Sequence, residues 1–372
     1  MAKEPVQSKL SPSAIRRPLL RWFDREARDL PWRRTRDPYA IWISEIMLQQ
    51  TRVQAAAPYY ERFVRRFPTV VALARARLDS VLKLWEGLGY YCRARNLHKA
   101  AQEIVTRFGG QLPETRSELL SLPGIGAYTA GAISSIAFGQ REPLVDGNVT
   151  RVLCRVFRVR GNPKEAVVQK KLWSLAEELL PAARPGDFNQ ALMELGSEIC
   201  LPKNPPCEVC PLRRTCLAKR HGEQNRLPAR RRKKPIPCHT VVVGVIERNG
   251  RVLIDKRPSD GLLGGLWEFP GGKKQSGESL EEALHREVLE EVGIRIRVGD
   301  SIATVDHAYS HFRIRLHAFR CTYASGTPQC LGCDAIKWVR PGDLRRYAFP
   351  AANKKIIRAL LDARQAGRRG SQ

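Results

Sequence analysis

Two acidic residues stand in surroundings that favour opposite protonation states. Glu45 lies in IWISEIMLQQT (41–51), where apolar side chains surround it at helical spacing. A carboxyl group so removed from water has a raised pKa and can act as an acid near neutral pH, although a buried ion-pair partner would give the same pattern. Asp146, in LVDGNVTRV (144–152), precedes a predicted helix, where capping is the usual role of aspartate. A protonated and an ionised carboxyl group together suit cleavage of a glycosidic bond, in which one protonates the leaving group and the other stabilises the sugar cation.

Four cysteines near the middle of the chain are close enough in sequence to bind one metal centre. They follow the pattern C-x6-C-x2-C-x5-C, at Cys200, Cys207, Cys210 and Cys216. Zinc sites more often contain two C-x-x-C pairs, and this run contains one. Buried free thiols would rarely fall into such a pattern. The spacing therefore predicts a metal centre bound by four thiolates.

A glycine turn opens a predicted helix in LPGIGAYTAGAISSIAFG (122–139). Gly124 and Gly126 would let the backbone approach a phosphate closely, and the helix N-terminus offers unpaired N–H groups. Most glycine turns only join two helices, so the motif alone indicates a phosphate contact weakly.

A second glycine turn lies in EGLGYYCRARNLHKAA (86–101). Leu88 and Tyr90 at its tip could wedge into a stack of bases, while Arg93 and Arg95 would meet phosphates. Packing of an apolar turn into the core is the alternative, and it suits Leu88 better than the tyrosines.

A cluster of acidic residues lies in GGKKQSGESLEEALHREVLEEVGI (271–294), a segment that matches the full Nudix box. Glu287, Glu290 and Glu291 fall at positions i, i+3 and i+4 of a predicted helix, on one face. Three such carboxylates repel one another unless a cation such as Mg²⁺ joins them. A charged face in solvent is the alternative.

The elements that must position these residues divide the chain into two domains. The first, 14–217, has apolar residues at helical spacing through 41–48, 97–108, 128–138, 149–157 and 170–180. A basic, proline-containing linker is predicted at 218–237.

The second domain, 238–364, is predicted to be α+β. A β-hairpin around Asn249-Gly250 opens it, a helix follows at 279–292, and a closing helix is predicted at 352–364. Further strands are expected near 301–306, 312–320 and 335–339.

Composition indicates a polyanionic partner. The 372 residues include 64 Lys and Arg against 37 Asp and Glu, a net charge of +27. Neutralising phosphates would release counterions and favour binding, although a basic surface without a partner has the same charge. The sequence has no signal-peptide pattern and no apolar run of membrane-spanning length, so we expect a soluble, cytoplasmic protein that does not bind a membrane.

Several segments resemble the MutY-type adenine DNA glycosylases, which belong to the helix-hairpin-helix superfamily of endonuclease III. Besides the four cysteines, the matching segments occur in the same order: LPWR (30–33), SEIMLQQT (44–51), GLGYY (87–91), LPGIGAYTAGA (122–132), VDGNVTRV (145–152) and FNQALMELG (188–196). The resemblance implies a helical glycosylase domain whose cysteines hold a [4Fe–4S] cluster. It also implies duplex DNA with adenine opposite 8-oxoguanine or guanine as substrate, and a monomeric protein.

The resemblance assigns roles to individual residues. Glu45 would protonate adenine N7, and Asp146 would stabilise the resulting sugar cation or form a transient adduct, assisted by Asn148 and Tyr128. Other residues would surround the two bases of the mispair: Arg28, Trp32, Arg33, Glu45 and Gln190 around adenine, and Gln50, Thr51, Leu88 and Tyr90 around 8-oxoguanine.

Endonuclease III is the alternative within the superfamily. Its relatives cut the strand through a Schiff-base lysine, and Tyr128 occupies that position here. Because a phenol cannot form an imine, we expect a glycosylase without lyase activity.

The C-terminal domain also has two interpretations. MutY-type proteins use such a domain to recognise 8-oxoguanine, and the recognition loop matches at Tyr309, Ser310 and His311. The intact Nudix box and Asn353, which matches the base-recognising asparagine of MutT-type hydrolases, leave open a second activity on 8-oxo-dGTP with Mg²⁺. No glutamate occurs within 313–346 to supply the extra loop carboxylate of those hydrolases. Cys330 and Cys333 are expected to be free thiols.

Overall fold

The computed structural model describes residues 10–229, 236–309 and 312–369, and the chain divides into two compact units. The first unit comprises Met1–Ala74 and Lys99–Lys233. The second comprises Arg75–His98 and Lys234–Gln372.

The chain up to Arg220 is helical. Its α-helices, in chain order, are α1 (Ser13–Glu26), α2 (Pro38–Leu48), α3 (Val53–Arg66), α4 (Val70–Ala74), α5 (Leu78–Trp85), α6 (Cys92–Phe108), α7 (Arg116–Leu120), α8 (Ala127–Ile136), α9 (Gly147–Val156), α10 (Ala166–Leu179), α11 (Pro185–Glu198) and α12 (Leu217–Arg220). Short 3₁₀ turns occur at Pro31–Arg33 and Cys207–Val209. Each of the five segments predicted from apolar spacing coincides with a helix, which confirms the helical prediction.

Helix α2 lies in the interior of the first unit. Asp37 caps it by accepting hydrogen bonds from the backbone N–H groups of Tyr39 and Ala40, and Pro38 occupies its first position. All residues from Tyr39 to Met47 are buried. Since a helix that is apolar all round packs on every side, Glu45 is enclosed by the fold itself.

Helices α9 and α11 approach each other closely where α9 begins. A Cβ atom placed on Gly196 of α11 would lie 2.5 Å from the Cβ atom of Asn148. Glycine at position 196 is therefore required for this contact, which fixes the backbone beside Asp146.

The predicted linker is only partly separate from the first unit. Helix α12 lies within it, and Leu227 is buried and accepts a hydrogen bond from Arg155. Glu223 forms ion pairs with Arg158 and Arg160. The stretch up to Leu227 thus packs on the helices, and residues 230–235 lie outside the described residues.

A mixed sheet forms the main part of the second unit. Its strands are β1 (Cys238–Arg248), β2 (Arg251–Lys256), β3 (Trp267–Glu268), β4 (Gly271–Lys273), β5 (Ile294–Ala308), β6 (Arg313–Gly326) and β7 (Ala335–Val339). The order is β3-β2-β1-β6-β5, with β4 paired to β1 and β7 to β2, and only β1 and β6 are paired in parallel. The predicted hairpin is confirmed: Asn249 and Gly250 both have positive φ, as a tight two-residue turn requires.

Helices cover the sheet on both faces: α13 (Leu280–Val292) on one and α14 (Ala351–Arg369) on the other. Successive strand residues alternate between them. Val252 and Ile254 pack with Ile356 of α14, while Leu253 packs with Val288 of α13. By the same alternation, Asp255 of β2 lies on the α13 face.

Candidate active site

Glu45 is a buried carboxyl group that keeps its proton near neutral pH. Glu45 is only 4% exposed, and the hydroxyl of Tyr128 donates a 2.5 Å hydrogen bond to its Oε2 atom. Burial raises the pKa of Glu45 to about 7. The negative charge of Asp146 adds to this rise, whereas the Tyr128 hydrogen bond and the charge of Arg33 oppose it. Glu45, Tyr128 and Asp146 therefore form one interacting group.

Asp146 caps α9 and is held by several donors. Its Oδ1 accepts from the backbone N–H of Val149 at 2.6 Å, and its Oδ2 accepts from Nδ2 of Asn148 at 3.0 Å. Burial raises the pKa of Asp146, and hydrogen bonds from Val149 and Asn148 oppose that rise. Arg151 donates to Oδ1 of Asn148 at 2.8 Å, which orients the asparagine amide toward Asp146. Both interpretations of Asp146, as cap and as site residue, are compatible with this geometry.

Two of the residues expected around adenine, Arg28 and Arg33, meet at a carboxylate that was not identified from the sequence. Glu194 of α11 accepts hydrogen bonds from Arg28 at 2.6 and 2.8 Å and from Arg33 at 2.9 Å, and Arg33 also donates to Gln190. Burial favours the neutral form of Glu194, but the hydrogen bonds from Arg28 and Arg33 lower its pKa to about 2. In the sequence Glu194 only follows Gln190 by four positions on one helix, which does not indicate its contact with the two arginines.

Trp32, Gln50 and Thr51, also expected near the bases, differ in burial and in their contacts. Trp32 is buried and packs edge-to-face on Tyr60, with ring centroids 5.3 Å apart. Gln50 is exposed in the turn after α2 and has φ = 56°, a left-handed conformation that is costly for glutamine. Thr51 donates to the carbonyl oxygen of Gln49 at 3.3 Å. The strained Gln50 is the side chain of this turn most open to a ligand.

The two tip residues of the second glycine turn, Leu88 and Tyr90, are not fully exposed to solvent. Leu88 is buried, and Tyr90 is half-buried with φ = 49°. Arg93 is buried as well; it donates to the carbonyl oxygen of Gly89 at 3.1 Å and lies over the rings of Trp85 and Tyr90. Arg93 thus supports the turn from inside and does not face solvent, contrary to the expected phosphate contact.

The first glycine turn has the open geometry that a phosphate contact requires. Gly124 has φ = 78°, and Gly126 is the N-cap of α8. A Cβ atom on Gly126 would meet nothing within 4 Å. The first backbone N–H groups of α8 are therefore accessible at the positive end of the helix dipole.

The four cysteines of the predicted metal centre line one cavity of the first unit. Hydrophobic residues of α9 and α11 form part of its wall, among them Val152, Val156 and Leu195. Among the residues that the structure describes, no three of these sulfur atoms lie within 4.8 Å of one another. Sulfur ligands of a tetrahedral zinc ion would be about 3.8 Å apart, given Zn–S bonds of about 2.3 Å. The four sulfur atoms are therefore not arranged for a tetrahedral zinc ion.

Arg155 borders this cavity and was not identified from the sequence. It is 1% exposed and donates to Sγ of Cys200 at 3.2 Å and to the carbonyl oxygens of Leu201 and Leu227 at 2.7 and 2.9 Å. Its position within the helical segment VTRVLCRVF gave no sign of this role. Burial raises the pKa of the Cys207 thiol overall, and the charge of Arg155 opposes that rise.

In the second unit, the three glutamates of the Nudix box do not meet at one point. Arg286 forms ion pairs with Glu287 at 2.9 Å and Glu290 at 3.0 Å, whereas Glu291 accepts from the backbone N–H of Gly271. Oxygen atoms of Glu291 lie close to those of Asp255 and Glu268 instead. The helix therefore presents two of these carboxylates to an arginine and the third to the sheet.

Of the three residues predicted to recognise 8-oxoguanine, Tyr309 can be placed. Its ring stacks on Phe312, with centroids 4.8 Å apart, and contacts His307 edge-on. Ser310 and His311 lie outside the described residues. Asn353, on the first turn of α14, is 4% exposed.

Within the described parts of the chain, no helix combines the length and apolarity needed to cross a lipid bilayer.

Two protein families match this chain. The HhH-GPD superfamily of base excision DNA repair proteins matches residues 43–178, and the NUDIX domain family matches residues 241–359. The chain is similar to an adenine DNA glycosylase of Rattus norvegicus, with 36% identity over 97% of this chain and 80% of the relative. It is similarly 36% identical to an adenine DNA glycosylase of Homo sapiens, over 93% of this chain and 74% of the relative.

Among solved structures, the chain is similar to a thermostable thymine-DNA glycosylase. The TM-score is 0.52 and the identity 32%, over 56% of this chain and 97% of that one.

Proposed function

Because the chain belongs to the adenine DNA glycosylase family, we propose that it removes adenine paired with 8-oxoguanine or guanine, using Glu45 and Asp146. The chain is a base excision repair enzyme, DNA is its substrate, and it cleaves an N-glycosyl bond. The opposing base and the roles of individual residues are the proposed part.

One observation carries the proposal: a buried glutamate, Glu45, whose pKa is raised to about 7. Adenine is a poor leaving group as an anion. Glu45 donates its proton to a ring nitrogen, the electrons of the N-glycosyl bond pass to the base, and adenine departs neutral. The 2.5 Å hydrogen bond from Tyr128 fixes the carboxyl group for this transfer.

Asp146 acts on the sugar. Loss of the base leaves an oxocarbenium-like cation, which an ionised carboxylate stabilises or traps before water adds. Hydrogen bonds from Val149 and Asn148 favour the ionised form and fix its orientation. The two carboxyl groups thus divide acid catalysis and cation stabilisation between them.

The same site supports a glycosylase that leaves the strand intact. Strand cleavage in the lyase branch needs an amine to form an imine with the sugar. The corresponding side chain, Tyr128, is a phenol whose pKa is raised well above its ordinary value by burial, and its hydroxyl is committed to Glu45. We therefore propose a monofunctional enzyme.

We also propose which residues surround the two bases of the mispair. Trp32 and the group held by Glu194 would bind adenine, with Glu194 positioning Arg28 and Arg33 and, through Arg33, Gln190. A second set would fill the space around the opposing base, consisting of Gln50, Thr51, Leu88 and Tyr90. The turn at Gly124 and Gly126 would bind a phosphate through backbone N–H groups.

We propose that Cys200, Cys207, Cys210 and Cys216 hold a [4Fe–4S] cluster. The shared cavity, the wide sulfur spacing and the buried Arg155 support this assignment. When bound, the cluster would supply a rigid cross-link that fixes the loop from Cys200 to Cys216. About four iron atoms per chain in the purified protein would test it, and stoichiometric zinc would contradict it.

For the second unit we propose recognition of 8-oxoguanine through Tyr309, Ser310 and His311. Hydrolysis of 8-oxo-dGTP is the weaker candidate, because Glu287 and Glu290 are paired with Arg286. We therefore propose that the Nudix-like unit recognises the damaged base and does not hydrolyse a nucleotide.

The test compares release of adenine from two duplexes, one with adenine opposite 8-oxoguanine and one with adenine opposite guanine. The wild-type protein should release adenine and leave an abasic strand that breaks only on treatment with base. Ser310→Ala combined with His311→Ala should weaken discrimination for the oxidised base by about 1–3 kcal/mol, as expected for lost hydrogen bonds to a base.

Ser276→Ala combined with His285→Ala is the matched control, since both residues are exposed in the same unit. Equal losses on the two duplexes would show that the loop does not read the oxidised base. Strand breakage without added base would instead support the lyase alternative.

A further inference from the structure

A cluster of three carboxyl groups lies between the sheet and α13 in the second unit. Asp255 of β2 and Glu268 of β3 are directly paired across the strands, and Glu291 reaches them from α13. One oxygen of each lies within 4.8 Å of the others. Like charges directly opposite on neighbouring strands are destabilising, so this arrangement needs a compensating partner.

Two of the three groups have partners, and the third does not. Both oxygens of Glu268 accept from Nη1 of Arg257 at 2.7 Å, and Oε2 of Glu291 accepts from the N–H of Gly271 at 3.0 Å. Asp255 is 0% exposed, and neither of its carboxyl oxygens has a hydrogen-bond partner among the described residues. A buried carboxylate in this state requires either a proton or a cation.

The charge and the ligand type indicate which cation would fit. Three carboxylates and the guanidinium of Arg257 leave a net charge of −2, which a divalent ion neutralises. Carboxylate and carbonyl oxygens are ligands for Mg²⁺, Mn²⁺ and Ca²⁺, whereas softer metals prefer sulfur and nitrogen.

We propose that Asp255, Glu268 and Glu291 bind one divalent cation of this oxygen-preferring class, which cross-links β2, β3 and α13. The site shares only Glu291 with the three glutamates of the Nudix box. Its two sheet ligands are buried, which suits a structural ion more than a hydrolytic one.

The proposed ion would also lie near Tyr309, to which the proposed function assigns contact with the oxidised base. Arg257 and Glu268 are close enough to Tyr309 for their charges to act on its hydroxyl. A bound ion would therefore change the electrostatic environment of the Tyr309 hydroxyl, although Tyr309 itself follows β5 at the other edge of the sheet. This inference is independent of adenine excision, because it concerns the second unit alone.

Protons compete with the cation. Burial raises the pKa of Glu291 to about 7 and that of Asp255 well above its ordinary range, helped in each case by the charge of Glu268. Among the described residues, the other titratable or charged groups that face the cluster are Glu287 of α13, Arg257 after β2 and Cys333 before β7. Because these folded-state pKa values are raised, the ion-free unit loses stability as pH rises through 7. The cation should therefore bind more tightly, and stabilise more, at pH 8 than at pH 6.

The experiment uses the full chain with its iron centre loaded, freed of divalent ions with a chelator and titrated with Mn²⁺. Free Mn²⁺ is followed by electron paramagnetic resonance, and thermal unfolding is recorded with and without the ion. We expect one tight Mn²⁺ per chain at pH 8, competition by Mg²⁺, and a raised unfolding midpoint of the second unit. Proton release on binding, measured calorimetrically in two buffers, should accompany it.

Asp255→Asn should weaken Mn²⁺ binding at least about tenfold, because one charged ligand is lost. The amide has the size of the acid and removes like-charge repulsion, so without metal at pH 8 this variant should unfold at a higher temperature than wild type. That gain shows that the variant folds. Glu290→Gln is the control: it lies on the same helix, its carboxylate is 60% exposed, and Mn²⁺ binding should be unchanged.

Three outcomes would overturn the proposal. One is the absence of Mn²⁺ binding at both pH values, which would mean that protons alone neutralise the three carboxyl groups. Another is wild-type affinity in Asp255→Asn. The third is loss of binding in Glu290→Gln, which would move the ion to the helix glutamates.

Discussion

Two buried glutamates of the first unit, Glu45 and Glu194, have opposite pKa shifts because their hydrogen-bond partners differ. Glu45 and Glu194 are 4% and 1% exposed, yet their pKa values are about 7 and about 2. Burial raises both. Glu194 receives two guanidinium groups, whereas Glu45 receives a neutral phenol from Tyr128. The result is one carboxyl group that can donate a proton near neutral pH and another that is ionised there, the separation of roles that acid catalysis requires.

At this scale the pH dependence of adenine release follows from Glu45. The proton-bearing form is the acid, so the single-turnover rate should fall as pH rises through about 7. Tyr128→Phe removes a hydrogen bond that lowers the pKa of Glu45, and so should move this alkaline limb to higher pH. Rates measured between pH 5.5 and 9 test both statements.

Tyr59→Phe, a half-buried tyrosine of α3, is the control and should leave the limb unchanged. A rate independent of pH across this range would contradict the assignment of Glu45, and an unshifted limb in Tyr128→Phe would contradict the role of the hydroxyl.

Sequence reasoning found Glu45 because a carboxylate inside a wholly apolar helix is conspicuous. It missed Glu194, whose segment FNQALMELG has ordinary helical polarity. The partners Arg28 and Arg33 precede Glu194 by more than 160 positions, so no local pattern reveals the contact. Arg93 was expected to meet a phosphate, and its burial went unforeseen because it depends on how the turn packs.

At the scale of elements, the start of α9 combines a structural and a chemical role. Asp146 caps the helix through Val149, and the close contact between Gly196 and Asn148 fixes the backbone behind it. Because the helix that it caps holds Asp146 in place, the carboxylate has a defined position.

Asp146→Asn should separate these two roles. Asparagine is as good an N-cap as aspartate, so the unfolding midpoint should stay within a few degrees of wild type. Adenine release should nevertheless fall by orders of magnitude, because an amide carries no charge to stabilise the sugar cation. Thermal melts and single-turnover assays on the same preparation give the comparison.

Asp187→Asn provides a control within the same unit, because Asp187 lies in the first turn of α11 and pairs with Arg184 at the surface. Equal loss of stability and activity in Asp146→Asn would mean that the residue acts as a cap alone.

Elements with strong local signals were predicted well, and those defined by distant contacts were not. Helical apolar spacing located α2, α6, α8, α9 and α10, and Asn249-Gly250 located the β1–β2 turn. The stretch around Leu227 was assigned to a linker because of its charge and prolines. Its attachment depends on Arg155, more than 70 positions earlier, which composition cannot reveal. The meeting of Asp255, Glu268 and Glu291 was missed for the same reason.

At the scale of the whole molecule, the net charge of +27 complements a DNA duplex without specifying a base. Affinity should accordingly depend strongly on salt, while we propose that selectivity for the mispair comes from the side chains around the two bases. Binding and chemistry are therefore separable: a substitution can abolish base release and leave the electrostatic attraction to DNA unchanged.

The most direct test of the central claim is single-turnover release of adenine opposite 8-oxoguanine by wild type and Glu45→Gln. The amide keeps the size of the acid but has no proton to donate, so release should fall by about 10²–10⁴-fold or more. Affinity for the duplex should stay close to wild type, and Glu61→Gln, at an exposed position of α3, should retain full activity. Release by Glu45→Gln within tenfold of wild type would contradict the account.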